Sequence, residues 1–266
     1  RLNQVEQQQD TMHARERIAP AQAVTGGEFP GSWKLPGTDT SISFSGYVKT
    51  DAFYTMNTAS STLTDSFIVS NIAVDNSAVA RQGGDFRVHS RRSRIRFLSA
   101  TPTEWGRLTT RIEGDFAGGG GNERFSNSNL LRVRQAFGQL GPVLAGQTQS
   151  TFNDADTLPD LIDPGGPAAE TDVRQAQIRY TYALMKGLEV DGAIENPEQR
   201  NIRNVAGAAT LNANFQDKAP DFVTRLRWKG SWGALNVAGV LREFTYDDGA
   251  GAQDSTWGYG GRAGAT

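Results

Sequence analysis

Arginine recurs at every second position in one stretch of this chain after another, and that spacing constrains the fold more than any other feature. Arg92, Arg94 and Arg96 begin the pattern. Arg107 and Arg111, Arg132 and Arg134, and Arg225, Arg227 and Lys229 continue it. A β-strand sends alternate side chains to opposite faces, so each set lies on one face. In the same windows the other face is apolar: Ile95 and Phe97; Leu108, Ile112 and Phe116; Leu131 and Val133; Phe222, Leu226 and Trp228. A soluble sheet buries such an apolar face and wets the charged one. A membrane barrel turns the apolar face to lipid and lines an aqueous lumen with the charged face.

Bulk properties narrow the choice. The chain has 266 residues, no cysteine and a net charge of −2. Disulfides and thiolate metal sites are excluded, and no global field draws in nucleic acid. Positive charge is local and periodic instead. Mean hydropathy is −0.49, and no apolar run approaches the roughly 18 residues of a membrane-spanning helix. A helical membrane protein is excluded, but a β-barrel is not, because only alternate residues need to be apolar. The chain begins at Arg1 without a signal peptide and stops at Thr266 inside a predicted strand, Ser255 to Ala265. It is expected to be incomplete at both ends.

Three regions follow. Residues 1–18 are polar, with Leu2, Val5, Met12 and Ile18 near heptad spacing and Gln9 at a core position. They read as the end of a coiled coil or as a polar helix. Residues 19–39 carry Pro20, Pro30 and Pro36 and read as a linker. Residues 40–266 alternate with period two and form the barrel domain. About ten strands are expected there, beginning with 41–56 and 86–99. The alternation changes phase between Val88 and Ile95, which predicts a bulge or a strand leaving the lipid zone near His89. The clearest strand is 107–116, followed by a glycine- and asparagine-rich loop to Ser128. Connections alternate between long and short, as in outer-membrane barrels. Trp105 and Trp232 sit at short turns, and Tyr180 and Tyr182 end a strand at another, as in an aromatic girdle.

No catalytic pattern is present: no G-x-S-x-G, no H-E-x-x-H, no C-x-x-C, and His13 and His89 have no partners that suggest a triad. No enzyme activity, cofactor or metal is expected. The run Gly118 to Gly121 has no following lysine or helix and reads as a flexible loop, not a phosphate cradle. The acidic stretch 151–171 holds Asp154, Asp156, Asp160 and Asp163; Asn153-Asp154-x-Asp156 hints only faintly at calcium, because no glycine or bidentate glutamate follows at loop spacing. The charged faces also carry acids, among them Glu113 and Asp115. Both signs on one face suit a lumen wall with a transverse field. A plain solvated sheet face and a nucleic-acid-binding sheet are the alternative readings.

RRSRIRF, ATPTEWGRLTTRIEGDF, LRVRQAFGQLGPVLAGQTQSTF and VRQAQIRYTY together resemble the DcaP-like family of Gram-negative outer-membrane porins, over roughly residues 40–266. The resemblance implies a transmembrane antiparallel β-barrel of about 16 strands, assembled as a trimer. It also implies a periplasmic coiled coil, of which residues 1–18 could be the last turns, and a preference for small anionic solutes, dicarboxylates in particular. Residues 151–171 would be a constriction loop folded into the lumen. The family's strand count and aromatic C-terminal residue are not matched by this chain.

Combined, these readings predict a passive outer-membrane channel biased towards anions. Arg92, Arg94, Arg96, Arg107, Arg111, Arg132, Arg134, Arg179, Arg225 and Arg227, with Glu113 and Asp115, line the lumen. The loop acids Asp154, Asp156, Asp160 and Asp163 narrow it. Expected partners are small anionic solutes, outer-membrane lipid and lipopolysaccharide, and two further copies of the chain; nucleic acid is not one. Alternatives are a structural or adhesive barrel tethered through its N-terminal helix, and a soluble β-domain that binds acidic ligands.

Overall fold

The computed structural model describes residues 26–56, 78, 80–81, 84–122, 126, 128–153, 155–157, 173–197, 217–247, 251 and 253–266. Among them are thirteen strands: β1 Trp33–Lys34, β2 Ser41–Tyr47, β3 Asp51–Thr55, β4 Asp85–His89, β5 Arg94–Thr103, β6 Gly106–Asn122, β7 Ser128–Leu140, β8 Val143–Gln149, β9 Arg174–Met185, β10 Leu188–Glu195, β11 Asp221–Gly230, β12 Gly233–Asp247 and β13 Gln253–Ala265. Eleven form one open antiparallel sheet in the order β1-β2-β5-β6-β7-β8-β9-β10-β11-β12-β13; β3 and β4 pair separately. Apart from β1, the main sheet has the ten long strands read from the period. Sixteen strands and a closed barrel are not reached among the described residues, and the helix expected over 1–18 lies outside them. Among the described residues no helix is long and apolar enough to cross a membrane.

Tight two-residue turns close one end of the sheet: Glu104-Trp105, Gly141-Pro142, Lys186-Gly187 and Ser231-Trp232. Gly141 and Gly187 take φ of 55° and 80° there, a conformation that costs a residue with a Cβ about 1–2 kcal/mol. The first of these turns lies later than the residues 100–104 expected, because β5 runs on to Thr103 opposite Gly106. From β5 onward the longer connections all leave the other end.

Two expected strands break at the same level. Residues 41–56 divide into β2 and β3, and residues 86–99 into β4 and β5. Tyr47 pairs with Arg94 and Asp51 with His89, so residues 48–50 on one side face 90–93 on the other. The extra residue is the count of a bulge, and it reverses the alternation between Val88 and Ile95. Ser93 Oγ accepts from the Lys49 amide at 3.1 Å, and Thr50 and Ser90 hydroxyls meet at 2.9 Å across the break. The glycine run expected to be loop is strand instead: β6 continues to Asn122, pairing Gly118 with Leu130 and Asn122 with Ser128 through shifts of register.

Burial in this sheet is the inverse of a soluble protein's. Phe44, Ile112, Ile178, Val237 and more than a dozen other large apolar side chains are exposed. The largest fully buried side chains are Glu113, Thr151, Thr245, Asp115, Asp191 and Asp221. A dozen half-exposed aliphatic or aromatic side chains left in water forfeit on the order of 10–20 kcal/mol of burial, as much as the whole stability of a domain, about 5–15 kcal/mol. Water is therefore the wrong solvent for the apolar face, which decides against the soluble reading. Aromatic rings cluster at the tight-turn end, where Trp228 and Trp232 stack at 4.4 Å and Trp105 is 82% exposed, the placement of an interfacial girdle.

Candidate functional site

The polar face carries two charged assemblies. The first spans β5, β6 and β7. Arg96 and Glu113 stand equally far from the Glu104-Trp105 turn, so the register sets them opposite each other. Arg94 falls opposite Asp115 by the same geometry, and a shift of register between Glu113 and Gly114 on β6 brings Asp115 opposite Arg132. Glu113 accepts from Arg96 Nε at 2.9 Å and Arg111 Nη2 at 2.7 Å on one oxygen. Its other oxygen meets Arg94 Nη1 and Arg134 Nε, each at 3.2 Å. Asp115 takes a two-pronged bond from Arg132, at 2.9 and 2.7 Å, and a third from Arg134 at 3.0 Å. Glu113 is 1% exposed and Asp115 fully buried, while the arginines over them keep between 11% and 36% of their side chains in contact with solvent. Five guanidiniums thus face two carboxylates. The acids anchor the arginines from below and leave an excess of positive charge on the accessible layer. Sequence reading anticipated mixed signs on this face; the acids prove to lie beneath the arginines, not opposed to them across a gap.

The second assembly is an arm of the long β8–β9 connection lying across the polar face of β9 to β13. Its described residues, 150–153 and 155–157, end in a single 3-10 turn, Ala155–Thr157. The Thr151 amide donates to Glu195 Oε1 at 2.6 Å, and its hydroxyl donates to Gln177 at 3.0 Å. Arg225 donates to the Asn153 carbonyl at 2.8 Å while pairing with Asp191 at 2.7 Å. Arg262 holds the Asn153 side-chain oxygen at 2.6 Å. Lys229 reaches Asp156 at 2.8 Å, and Asn236 donates to the Thr157 hydroxyl at 2.9 Å. Two guanidiniums on the oxygens of Asn153 leave no place there for calcium, which would face both positive charges.

Glycine makes room for the arm. A Cβ at Gly264 would stand 2.5 Å from the Thr157 hydroxyl oxygen and 2.9 Å from Asn236 Nδ2. Gly264→Val is therefore expected to lift the 3-10 turn off the wall. Limited proteolysis should cut the variant near residues 155–157 where the parent resists; identical digestion patterns would show that the seat tolerates the side chain.

The expected site residues fall into distinct places. Arg94, Arg96, Arg111, Arg132 and Arg134 converge with Glu113 and Asp115 as above. Arg92 leaves the ladder, because it lies in the turn between β4 and β5. Arg107 shares the polar face but sits at the tight-turn end, 3.5 Å from Glu28 and over the Phe29 ring. Arg225 is 6% exposed and serves the arm. Arg227 pairs with Glu189 at 2.5 Å. Arg179 stands midway along β9. Asp156 lies against the polar face of the sheet, paired with Lys229; Asp154, Asp160 and Asp163 lie outside the described residues. Sequence reading did not single out Arg262 or the Arg242–Asp221 pair, in which two nitrogens grip both carboxylate oxygens. Alternation along 234–244 marks Arg242 as lying on the polar face, but nothing local marks its partner.

A family model described as DcaP outer membrane protein matches residues 32–234. The crystal structure of the outer membrane channel DcaP of Acinetobacter baumannii superposes with a TM-score of 0.71 at 20% sequence identity, over 91% of this chain and 62% of that one. The chain thus spans less than two thirds of that channel's length. None of the curated proteins compared with the chain matches it.

Proposed function

The chain belongs to the DcaP outer membrane protein family, and from that premise we propose a passive diffusion channel for small hydrophilic solutes, biased towards anions. The layered cluster on β5 to β7 carries this reading. Five arginines over two buried carboxylates set three surplus positive charges into a wall whose other face is apolar. Rings of cationic side chains lower the entry barrier for anions, and partial neutralisation from below keeps binding weak enough for release. Arginine also presents paired donors to a carboxylate, which favours dicarboxylates among the solutes. The arm over β9 to β13 takes up space on the same face and would narrow the path. No bond is made or broken in this role. The protein would stand in the outer membrane against lipid and lipopolysaccharide as a homotrimer, with the tight turns and the N-terminus on the periplasmic side.

Reversal potentials across a potassium chloride gradient in planar bilayers test the reading. The parent channel should prefer chloride, and the combined variant R94Q/R96Q/R134Q should lose most of that preference. The effect should shrink in concentrated salt, where the Debye length falls to about 3 Å. A parent channel that prefers potassium would refute the anion bias. Failure of the protein to admit sugars in liposome swelling would instead favour a plugged barrel that serves as a tether.

A further inference from the structure

Arg179 differs from the arginines described above in having no bonded partner. It lies half-buried on the polar face midway along β9, and among the described residues it has neither a hydrogen bond nor an ion pair. Its Nε is buried without an acceptor. Its charged neighbours are Asp191, Glu195, Arg225 and Arg227, and none of them bonds to it. Asp191 is taken by Thr181 and Arg225, and Arg227 by Glu189; Glu195 gives Oε1 to the Thr151 amide, and its buried Oε2 bonds neither Arg179 nor any other described group. The row across the sheet at this level is otherwise apolar. Leu144 on β8 and Ala193 on β10 pair with Arg179 directly, and Val223 and Val240 continue the row. Leu144, Ala193 and Val223 are buried. A guanidinium among such neighbours works in a lower effective dielectric than one in open water, so an anion that reaches it is held more strongly.

We propose that Arg179 is the docking point for a permeating carboxylate and determines affinity, whereas the β5–β7 cluster sets only the general preference for anions. This rests on the channel reading above and deepens it. In the cluster, every guanidinium already donates to Glu113 or Asp115, so a solute there must compete with a built-in carboxylate. At Arg179 the solute supplies the missing acceptor, and the paired donors of the guanidinium match its two oxygens.

Block of chloride current by succinate, in bilayers containing the full chain as a channel, separates the two roles. R179Q is expected to raise the half-blocking succinate concentration about tenfold, with chloride preference changed less than twofold. R179K, which keeps the charge but not the planar pair of donors, should fall between. R94Q should do the reverse, lowering chloride preference with little effect on block. Heat-modifiable gel mobility confirms folding of each variant. Succinate block that survives R179Q overturns the proposal while leaving the channel reading intact. A parent channel with no chloride preference overturns the channel reading itself.

Discussion

Replacing Glu113 with glutamine should cost about 3 kcal/mol of stability. That is the lower end of the range for removing one member of a buried ion pair, because the arginines involved keep some solvent. The carboxylate is 1% exposed and pairs with Arg94, Arg96, Arg111 and Arg134 at once. Glutamine preserves the shape and one acceptor oxygen but removes the charge, so these guanidiniums repel one another across neighbouring strands. The midpoint of urea unfolding in lipid vesicles, read by tryptophan fluorescence, should fall accordingly, and the chloride preference of variant channels that still insert should rise. Removing Asp115 as well should lower stability further, since Arg132 and Arg134 then lose their last carboxylate. An unfolding midpoint equal to the parent's would mean that the arginines find other acceptors, and the layered picture would fall.

Arg225→Met should act on both stability and conductance. Arg225 is one of the few deeply buried cations here, gripping Asp191 on one side and the Asn153 carbonyl on the other. Without it, Asp191 keeps its bond from the Thr181 hydroxyl at 2.6 Å but loses its paired charge. A cost of about 3 kcal/mol is expected for that uncompensated buried carboxylate. The arm also loses one of its anchors, so single-channel conductance should rise and the open current should become noisier. The double variant R225M/D191L separates the effects. Exchange of a buried ion pair for apolar side chains of similar volume is often neutral, so stability should return while the arm stays loosened. A double variant with parental conductance and noise would show that Glu195, Arg262 and Lys229 hold the arm without Arg225.

Alternation made much of this fold legible. Where a strand has Leu108, Ile112 and Phe116 on one face against Arg107, Arg111 and Glu113 on the other, no other periodicity competes, and β6 follows. The turn at Gly141-Pro142 is as plain, because both residues break a strand. Once such turns are placed, registry follows, and Arg96 must meet Glu113. Legibility ends where pairing overrides composition. Gly118 to Gly121 have no preference for strand, yet β6 extends through them because β7 offers Leu130 and Asn129 as partners. The phase slip near His89 was visible, but whether one strand bulges or two strands break depends on a slip being accommodated opposite residues 48–50, some forty positions away. The arm is harder still. Asp156 and Lys229, or Asn153 and Arg262, are separated by most of the sheet in sequence, and no local pattern says which cation of a repeated set will turn to a loop and which, like Arg179, will be left without an acceptor.

Every strand of the main sheet except those flanking the β3–β4 excursion is hydrogen-bonded to its immediate predecessor in the chain. That order has a kinetic consequence. A meander grows by adding each strand to an edge already present, so each step closes only the loop between neighbours, and the entropy of closure rises slowly with loop length. The four tight turns make hairpins that can form within microseconds. From β5 onward the long intervals are those after β8 and after β10, at residues 150–173 and 196–220. Assembly should therefore advance in hairpin-sized steps and dwell at the edges of β8 and β10, each waiting with a row of unpaired amides and carbonyls. Those two edges are where a folding chain of this kind is most exposed to mispairing, and where anything that assists its insertion would have most to gain by holding on.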